Sequence, residues 1–175
     1  MYRHFAIACL LLCGCNSTTA FIEPVPDLVG KPAPDFTAPL LDGESFQLSE
    51  KNADHVIILD FWATWCGPCL TELPVLMRIA DDYEDRGVTL YTVNAGEDQA
   101  TIKEFLQENR WKLNVVLDVD GQIHQLYEVS SIPHLVIVDR GGIVKQVHIG
   151  YHRGFDKQLR LELDQLVSEK QPSQP

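Results

Sequence analysis

Trp62-Ala63-Thr64-Trp65-Cys66-Gly67-Pro68-Cys69 is the stretch that decides the fold of this chain. Four aliphatic residues at positions 56–59 precede it, and apolar residues at helical spacing begin with Leu70. The two cysteines therefore stand where a strand ends and a helix begins. A helix N-terminus carries unpaired N–H groups and a partial positive charge, so it favours the ionised, reactive form of a sulfur atom. This placement indicates a dithiol/disulfide redox site.

The flanking sequence predicts an α/β fold with a mixed sheet between helices. Continuous apolar runs favour buried strands, whereas apolar residues at every third or fourth position favour amphipathic helices. The predicted strands cover residues 56–61, 88–93, 114–117, 135–138 and 143–149, and the predicted helices start near residues 70, 98, 121 and 155. Because strands alternate with helices and the chain then forms a hairpin, we expect one layered domain over residues 35–169.

A β-hairpin is predicted in front of that sheet, over residues 35–48. Asp42-Gly43 favours a tight turn, and apolar residues alternate with polar ones beside it. Pro39 has no N–H to donate and therefore favours an edge strand. Ser49 is suited to cap a short helical turn after the hairpin.

The N-terminus has the pattern of a bacterial export signal. A short basic start is followed by an apolar run over residues 5–12, which is too short to span a bilayer, and then by small residues. Leu12-Cys13-Gly14-Cys15 resembles the lipobox of bacterial lipoproteins, in which a small residue precedes the lipidated cysteine. Cys15 fits this pattern better than Cys13, since Gly14 precedes it. The alternative is an ordinary cleaved signal peptide.

The lipobox resemblance implies a signal peptide over residues 1–14 and a lipid bilayer as partner through Cys15. The Pro-rich residues 15–34 would then form a tether, and the polar residues 170–175 a tail. Asn16 stands where enterobacterial lipoproteins retained at the inner membrane have Asp, which favours the outer membrane. We therefore expect a periplasm-facing protein of the cell envelope.

Processing of this kind accounts for the odd number of cysteines. The chain has five. Cleavage before Cys15 would remove Cys9 and Cys13, and acylation would use the thiol of Cys15, so Cys66 and Cys69 would remain as the thiols. An exported pair would work in an oxidising compartment.

Composition limits the class of partner. The chain carries 14 Lys and Arg against 25 Asp and Glu, a formal net charge of −11. Nucleic acids and anionic lipid headgroups are bound through basic patches, so this charge argues against both as partners. A zinc site would need a second cysteine pair, and the histidines show no ligand spacing, so we predict no metal.

Residues 56–69, V-I-I-L-D-F-W-A-T-W-C-G-P-C, resemble the active-site strand and motif of thioredoxin. The longer stretch from about residue 31 to 167 is similar to the TlpA/ResA-like branch of the thioredoxin superfamily. The shared features are the K-P-A-P-D-F hairpin, Glu72-Leu73-Pro74 and an inserted helix-strand segment at about residues 98–117. The resemblance implies a thioredoxin-like thiol–disulfide oxidoreductase that needs no cofactor besides the Cys66–Cys69 disulfide.

Roles for the motif follow from this resemblance and from the helix start. Cys66 receives the helix dipole and is expected to be the more exposed nucleophile, while Cys69 would resolve the mixed disulfide. Trp65, Gly67 and Pro68 would contact the substrate. In this family, Pro at position 68 is associated with reductants.

Ser131-Ile132-Pro133-His134 matches the family segment in which a cis-proline faces the two cysteines. The resemblance implies that the Ile132–Pro133 peptide bond is cis and that the backbone of Ile132 binds a substrate strand. His134 replaces the usual Thr. Its side chain would either touch the substrate or perturb Cys66, or it would have no role.

Asp60 and Glu97 are the candidate acids. Asp60 matches the buried acid of thioredoxins, where a raised pKa would let it exchange a proton with Cys69; the alternative is that it binds backbone amides. Glu97 matches an acid near the cysteines in some cytochrome-maturation proteins; the alternative is a solvated acid at a helix start. Trp62 and Trp65 are both predicted to form apolar surface for partner proteins.

The preferred function is an exported reductant of protein disulfides, for example in cytochrome c maturation. Such a protein needs a membrane thiol protein as its electron donor, because the compartment supplies no electrons. An oxidase or isomerase of the same fold is one alternative, and a non-catalytic lipid-anchored binding module is another. A peroxiredoxin is disfavoured, since the P-x-x-x-T-x-x-C context is absent.

Overall fold

The computed structural model describes residues 27–168 of the 175-residue chain. The predicted signal peptide, the predicted lipidation site Cys15 and most of the predicted tether lie outside the described residues, as does the predicted tail. Within residues 27–168, no helix is long and apolar enough to cross a membrane.

Seven strands and five α-helices make up the described part of the chain. The strands are β1 (Thr37–Pro39), β2 (Ser45–Gln47), β3 (Val56–Trp62), β4 (Val88–Ala95), β5 (Val115–Asp118), β6 (His134–Val138) and β7 (Val144–Ile149). The helices are α1 (Leu48–Asn52), α2 (Gly67–Tyr83), α3 (Gln99–Asn109), α4 (Gln122–Leu126) and α5 (Phe155–Ser168). Asp98 caps α3 through its side chain, as predicted. The α/β fold class is confirmed.

β3 is the central strand of a five-stranded mixed sheet with the order β5-β4-β3-β6-β7. It pairs in parallel with β4 and antiparallel with β6. All seven residues of β3 are buried, which explains its continuous apolar run. The C-terminal ends of β3, β4, β5 and β7 and the N-terminal end of β6 lie together, and we call this side of the sheet the carboxyl edge.

Two apolar layers cover the two faces of the sheet, because successive strand residues point to opposite sides. On one face, Ile58 and Leu135 pack with residues of α2 and α5. On the other face, Phe61 and Val136 pack with the N-terminal hairpin and with residues around α4. A third cluster joins the end of β3 to α2 and α3, and it contains both cysteines of the motif.

The N-terminal hairpin forms as predicted, but the helix after it begins differently. β1 and β2 pair antiparallel, and the Leu41 N–H donates to the Val115 carbonyl at 2.8 Å, which attaches the hairpin to β5. Ser49 is the second residue of α1 rather than its cap, so that prediction is wrong. Asp35 accepts hydrogen bonds from the Ser49 backbone N–H at 2.9 Å and from its hydroxyl at 2.8 Å.

Candidate active site

Cys66 and Cys69 form a disulfide at the N-terminus of α2. Their Cα atoms are 5.3 Å apart. Cys66 is the N-cap of the helix, and its Sγ accepts a hydrogen bond from the Cys69 backbone N–H at 3.3 Å. In the dithiol form, this N–H and the helix dipole stabilise a thiolate at Cys66.

The disulfide is reached from the Cys66 side. Cys66 is 5% exposed and Cys69 is 0% exposed, so the expected order of exposure is confirmed. Trp65 is 71% exposed, an apolar surface of the kind that marks interaction sites. Gly67 and Pro68 are also exposed, and a Cβ at Gly67 would meet no atom within 4 Å. The surface beside Cys66 is therefore open, while Cys69 lies beneath it.

The Ile132–Pro133 segment lies beside the disulfide. Its peptide bond is cis, as the resemblance implied. Half-buried Ile132 packs against the cluster that contains Cys66 and Cys69. The Pro133 carbonyl accepts a hydrogen bond from the Gly150 N–H at 2.8 Å, which attaches the segment to the end of β7.

Two carboxyl groups are buried between β3 and α2. Asp60 is 0% exposed and Glu72 is 1% exposed, and Glu72 lies one helical turn after Cys69. Neither Asp60 oxygen has a hydrogen-bond partner among the described residues, which contradicts the alternative that Asp60 binds backbone amides. Burial raises the pKa of Asp60, and burial together with the charge of Asp60 raises the pKa of Glu72. Both groups therefore keep their protons to a higher pH than ordinary carboxyls.

Glu97 connects two loops at the carboxyl edge. One of its oxygens accepts hydrogen bonds from the Thr64 backbone N–H and from the Asn94 side-chain amide, each at 2.8 Å. The other oxygen accepts a hydrogen bond from the Thr64 hydroxyl. Glu97 is therefore not the solvated acid of the alternative prediction, and it fixes the loop that leads to Cys66.

The sequence pattern of the AhpC/TSA family matches residues 29–147, more than half of the chain. The chain belongs to the AhpC/TSA family. The thiol-disulfide oxidoreductase ResA of Geobacillus kaustophilus is 32% identical to this family member over 145 residues, which are 83% of each chain. The thioredoxin-like protein YneN of Bacillus subtilis is 30% identical over 137 residues, covering 77% of this chain and 79% of YneN.

The fold of this AhpC/TSA family member also matches the solved structure of a thiol:disulfide interchange protein. It is assigned as the thiol:disulfide interchange protein DsbE of Chlorobium tepidum. The match has a TM-score of 0.75 at 31% identity and covers 80% of this chain and 98% of that one. The chain is accordingly a thioredoxin-like thiol–disulfide oxidoreductase of the ResA/DsbE type, with the Cys66–Cys69 pair at its centre.

Trp62 of this oxidoreductase lies elsewhere than predicted, and burial excludes one of the alternatives for His134. Trp62 is fully buried and packs against Phe105 with ring centroids 5.9 Å apart, so it forms no surface for partners. It points inward because it is the last residue of a strand that is buried on both faces. His134 is also fully buried, on the same face of the sheet as Phe61, and contact of its side chain with a substrate is excluded. Burial, together with nearby His124, lowers the pKa of His134 to about 4.

Three residues of this AhpC/TSA family site were not assigned from the sequence. Glu72 enters the sequence comparison only as part of the shared Glu72-Leu73-Pro74 segment, although its spacing of three from Cys69 places it on the buried face of α2. Thr64 carried no signal, because its partner Glu97 is 33 positions away in the chain, and Asn94, three positions before Glu97, carried none either. Only the folded sheet brings these loops together.

The redox-active group of this site is the cysteine pair. Residues 27–168 contain no group of three or more His, Cys, Asp or Glu side chains placed to hold one. The thioredoxin-like fold instead carries its redox equivalents in the Cys66–Cys69 disulfide.

Proposed function

We propose that this chain is an exported, lipid-anchored reductant of disulfide bonds in partner proteins. The observation that carries the proposal is the position of Cys66, which caps α2 beside the Pro133 segment and is the more exposed sulfur of the pair. The leader pattern and Cys15 support export and attachment to a bilayer. A periplasm-facing site at the outer membrane is the location that Asn16 favours.

Reduction of a partner disulfide takes two exchanges. The Cys66 thiolate attacks one partner sulfur, which forms a mixed disulfide and releases the other partner sulfur as a thiolate. Cys69 then loses its proton and attacks the Sγ of Cys66, which closes the Cys66–Cys69 disulfide and releases the second partner sulfur. The partner gains two electrons and two protons, and a donor dithiol must return both to the enzyme.

The surrounding residues divide into proton transfer, docking and positioning. Asp60 in its ionised form takes the proton of Cys69, because its raised pKa, about 8, brings its proton affinity close to that of a thiol. Trp65, with Gly67 and Pro68, forms the surface that contacts the substrate, and the backbone of Ile132 pairs with a substrate strand. Glu97 positions the loop rather than moving protons, since hydrogen bonds from Thr64 and Asn94 occupy both of its oxygens.

The buried carboxyls support the reducing direction. A disulfide becomes strongly oxidising when its dithiol form is stabilised, mainly through a low thiol pKa. Cys69 is fully buried beside Asp60 and Glu72 and opposes this, because desolvation disfavours a thiolate there and a carboxyl that has lost its proton would repel it. The helix N-terminus stabilises the Cys66 thiolate and thereby favours the oxidising direction, but it acts on Cys66 only. Pro68 also supports the reducing direction, because Pro at this position is associated with reductants in the family that the chain resembles.

Similarity to the TlpA/ResA-like branch supports one substrate in particular. The cysteine pair of an apocytochrome c is a disulfide that must be reduced outside the cytoplasm before haem is attached. A membrane thiol protein would then serve as the electron donor for Cys66–Cys69.

The reduction potential tests the direction. The full chain is equilibrated with thiol–disulfide buffers, and alkylation of Cys66 and Cys69 gives the reduced fraction. A value near that of thioredoxin, about −270 mV, supports the proposal, while a value near that of DsbA, about −120 mV, favours an oxidase.

A trapping variant tests the substrate. Cys69→Ser holds mixed disulfides on Cys66, and mass spectrometry identifies the captured proteins, with the Cys66→Ser, Cys69→Ser double variant as control. Capture of cysteine-pair proteins such as apocytochrome c supports the proposal. Recovery of the same proteins with the double variant, or of none, would favour a non-catalytic binding module.

A further inference from the structure

Five loops surround the disulfide at the carboxyl edge of the sheet. Four of them follow β3, β4, β5 and β7, and the fifth leads into β6. The sheet order places the loop after β4 on one side of the cysteine loop and the Pro133 segment on the other, with residues 150–154 beyond it. A polypeptide that reaches both Cys66 and Ile132 therefore extends toward residues 150–154 at one end.

Charges of opposite sign lie on the two flanks of this edge. The loops after β4 and β5 and the start of the segment before β6 carry Glu97, Asp98, Asp120 and Glu128. Arg153, in the loop after β7, is the single Lys or Arg of these five loops in the described chain, and it is exposed. The nearby Asp156 and Lys157 in the first turn of α5 offset one another in formal charge.

Arg153 is available to an incoming carboxylate. Within residues 27–168, no carboxylate lies at ion-pair distance from its guanidinium. His152, directly before it, is exposed as well and directs its Nδ1 to the Arg153 carbonyl oxygen at 3.2 Å. The contact leaves the Arg153 side chain facing solvent.

The loop that carries Arg153 has a defined conformation. The Gly150 N–H is bound to the Pro133 carbonyl, and the Tyr151 ring meets the Phe155 ring edge-on with centroids 5.7 Å apart. Phe155 is fully buried. Gly150 has φ +76°, a left-handed conformation that a residue with a Cβ rarely adopts. The loop is thus held against both the Pro133 segment and the core.

We propose that Arg153 selects substrates that carry an acidic residue on one side of the reacting disulfide. The inference rests on the proposed function, because it requires a polypeptide disulfide to dock at Cys66. A guanidinium binds a carboxylate through two parallel hydrogen bonds, while the acidic flank repels the same carboxylate. The pair of flanks thereby favours one orientation of the substrate. The overall net charge of −11 repels acidic partners from the rest of the surface. A single cation at this edge can therefore determine where an acidic residue of the substrate binds.

Synthetic peptides provide the test. All share one Cys-x-x-Cys disulfide and differ only in two adjoining residues, which are Glu-Glu, Gln-Gln or Lys-Lys, placed before the disulfide in one series and after it in another. The reduced full chain is mixed with each peptide, and acid-quenched alkylation gives the rate of reduction. In one of the two series, we expect the Glu peptide to react about tenfold faster than the Lys peptide at low salt, with the ratio falling at about 0.5 M salt.

Matched variants assign this preference to Arg153. Arg153→Glu should abolish or invert the ratio between the Glu and Lys peptides, whereas Arg153→Lys, which keeps the charge but not the two parallel hydrogen bonds, should keep part of it. Lys112→Glu makes the same charge change at the exposed segment before β5, at the opposite edge of the sheet, and should leave the ratio as in the wild type. The Gln peptides should react equally with all four proteins.

The outcomes separate this inference from the proposed function. Equal ratios for Arg153→Glu and Lys112→Glu, with every peptide still reduced, would overturn the role of Arg153 and leave the reductase standing. If the reduced wild type acts on none of the peptides and not on hydroxyethyl disulfide, the proposed function is wrong and this inference is wrong with it.

Discussion

Glu97 accepts hydrogen bonds from both the backbone N–H and the hydroxyl of Thr64, two positions before Cys66. The same carboxylate accepts a hydrogen bond from Asn94 at 2.8 Å, so one acid joins the end of β4 to the loop that carries the disulfide. Hydrogen bonds to an ionised group are stronger than those between neutral groups. Glu97 therefore acts on the disulfide through Thr64, as a positioning residue.

Glu97→Ala is expected to lower both stability and activity. It leaves the Thr64 N–H and the Asn94 amide without their acceptor, which costs about 1–3 kcal/mol of unfolding free energy. Urea unfolding measures this loss, and the rate of peptide disulfide reduction should fall with an unchanged pH profile. Glu97→Gln keeps one acceptor oxygen and should lose less. A shifted pH profile without loss of stability would instead show that Glu97 transfers protons.

The strands could be predicted because burial leaves a direct mark on the sequence. β3 is covered on both faces, and its four aliphatic residues stand in an unbroken run. The start of α2 at the cysteines was predictable for a similar reason, since the helical spacing begins at Leu70. Side-chain contacts between distant segments leave no such mark. Asp35 binds Ser49 across the hairpin, and the local sequence therefore suggested the wrong cap.

Stability should fall as pH rises because of Asp60 and Glu72. Their pKa values in the folded state lie above those of the unfolded chain, where carboxyls titrate at about pH 4. The stability they contribute is fully present below about pH 4 and is lost as pH rises through the raised pKa values. Urea unfolding of the oxidised protein from acid to alkaline pH should show this decline, by about 1.4 kcal/mol for each pH unit between the unfolded-state and folded-state pKa values.

Asp60→Asn should remove the Asp60 part of that decline, since an amide does not titrate, while Glu72 keeps the part that its own burial causes. Asp54→Asn is the matched control, because Asp54 is exposed just before β3 and has no resolved role in the site. The two carboxyls are close enough to interact, so the effects of Asp60→Asn and Glu72→Gln should not add. Equal slopes in the wild type and Asp60→Asn would contradict the raised pKa.

Asp60→Asn should also slow the closing of the disulfide. In the proposed mechanism, Asp60 takes the proton of Cys69, and loss of a general base costs about 100-fold or more in rate. Stopped-flow decay of the mixed disulfide on Cys66 measures this step, while the preceding attack by Cys66 should change little. Equal decay rates in the wild type and the variant would show that solvent takes the proton instead.

His134 should destabilise the protein in acid. Burial lowers its pKa from 6.5 to about 4, so between these values the unfolded state binds a proton that the folded state does not. Its contribution is present above pH 6.5 and is lost as pH falls toward 4, by roughly 3 kcal/mol in all. The slope of unfolding free energy against pH should flatten in His134→Gln. It should stay as in the wild type in His55→Gln, which changes an exposed histidine.

The two tryptophans of the motif should respond to substitution in opposite ways. Sequence alone does not show which of them is buried, because both are amphipathic aromatic residues within four positions. Trp62 is buried because it is the last residue of β3, whereas Trp65 lies in the loop after it. Trp62→Ala opens a cavity against Phe105 and should cost about 3–5 kcal/mol of unfolding free energy. Trp65→Ala, at a side chain that is 71% exposed, should change stability by no more than about 0.5 kcal/mol.

Trp65→Ala should instead weaken the reduction of protein disulfides. The exposed ring offers apolar area beside Cys66 to a large partner, whereas a small disulfide reaches the sulfur without it. We expect kcat/KM to fall about tenfold with a folded protein substrate and to stay within about twofold with hydroxyethyl disulfide. An equal loss with both substrates would mean that Trp65 acts on the reactivity of Cys66 itself rather than on docking.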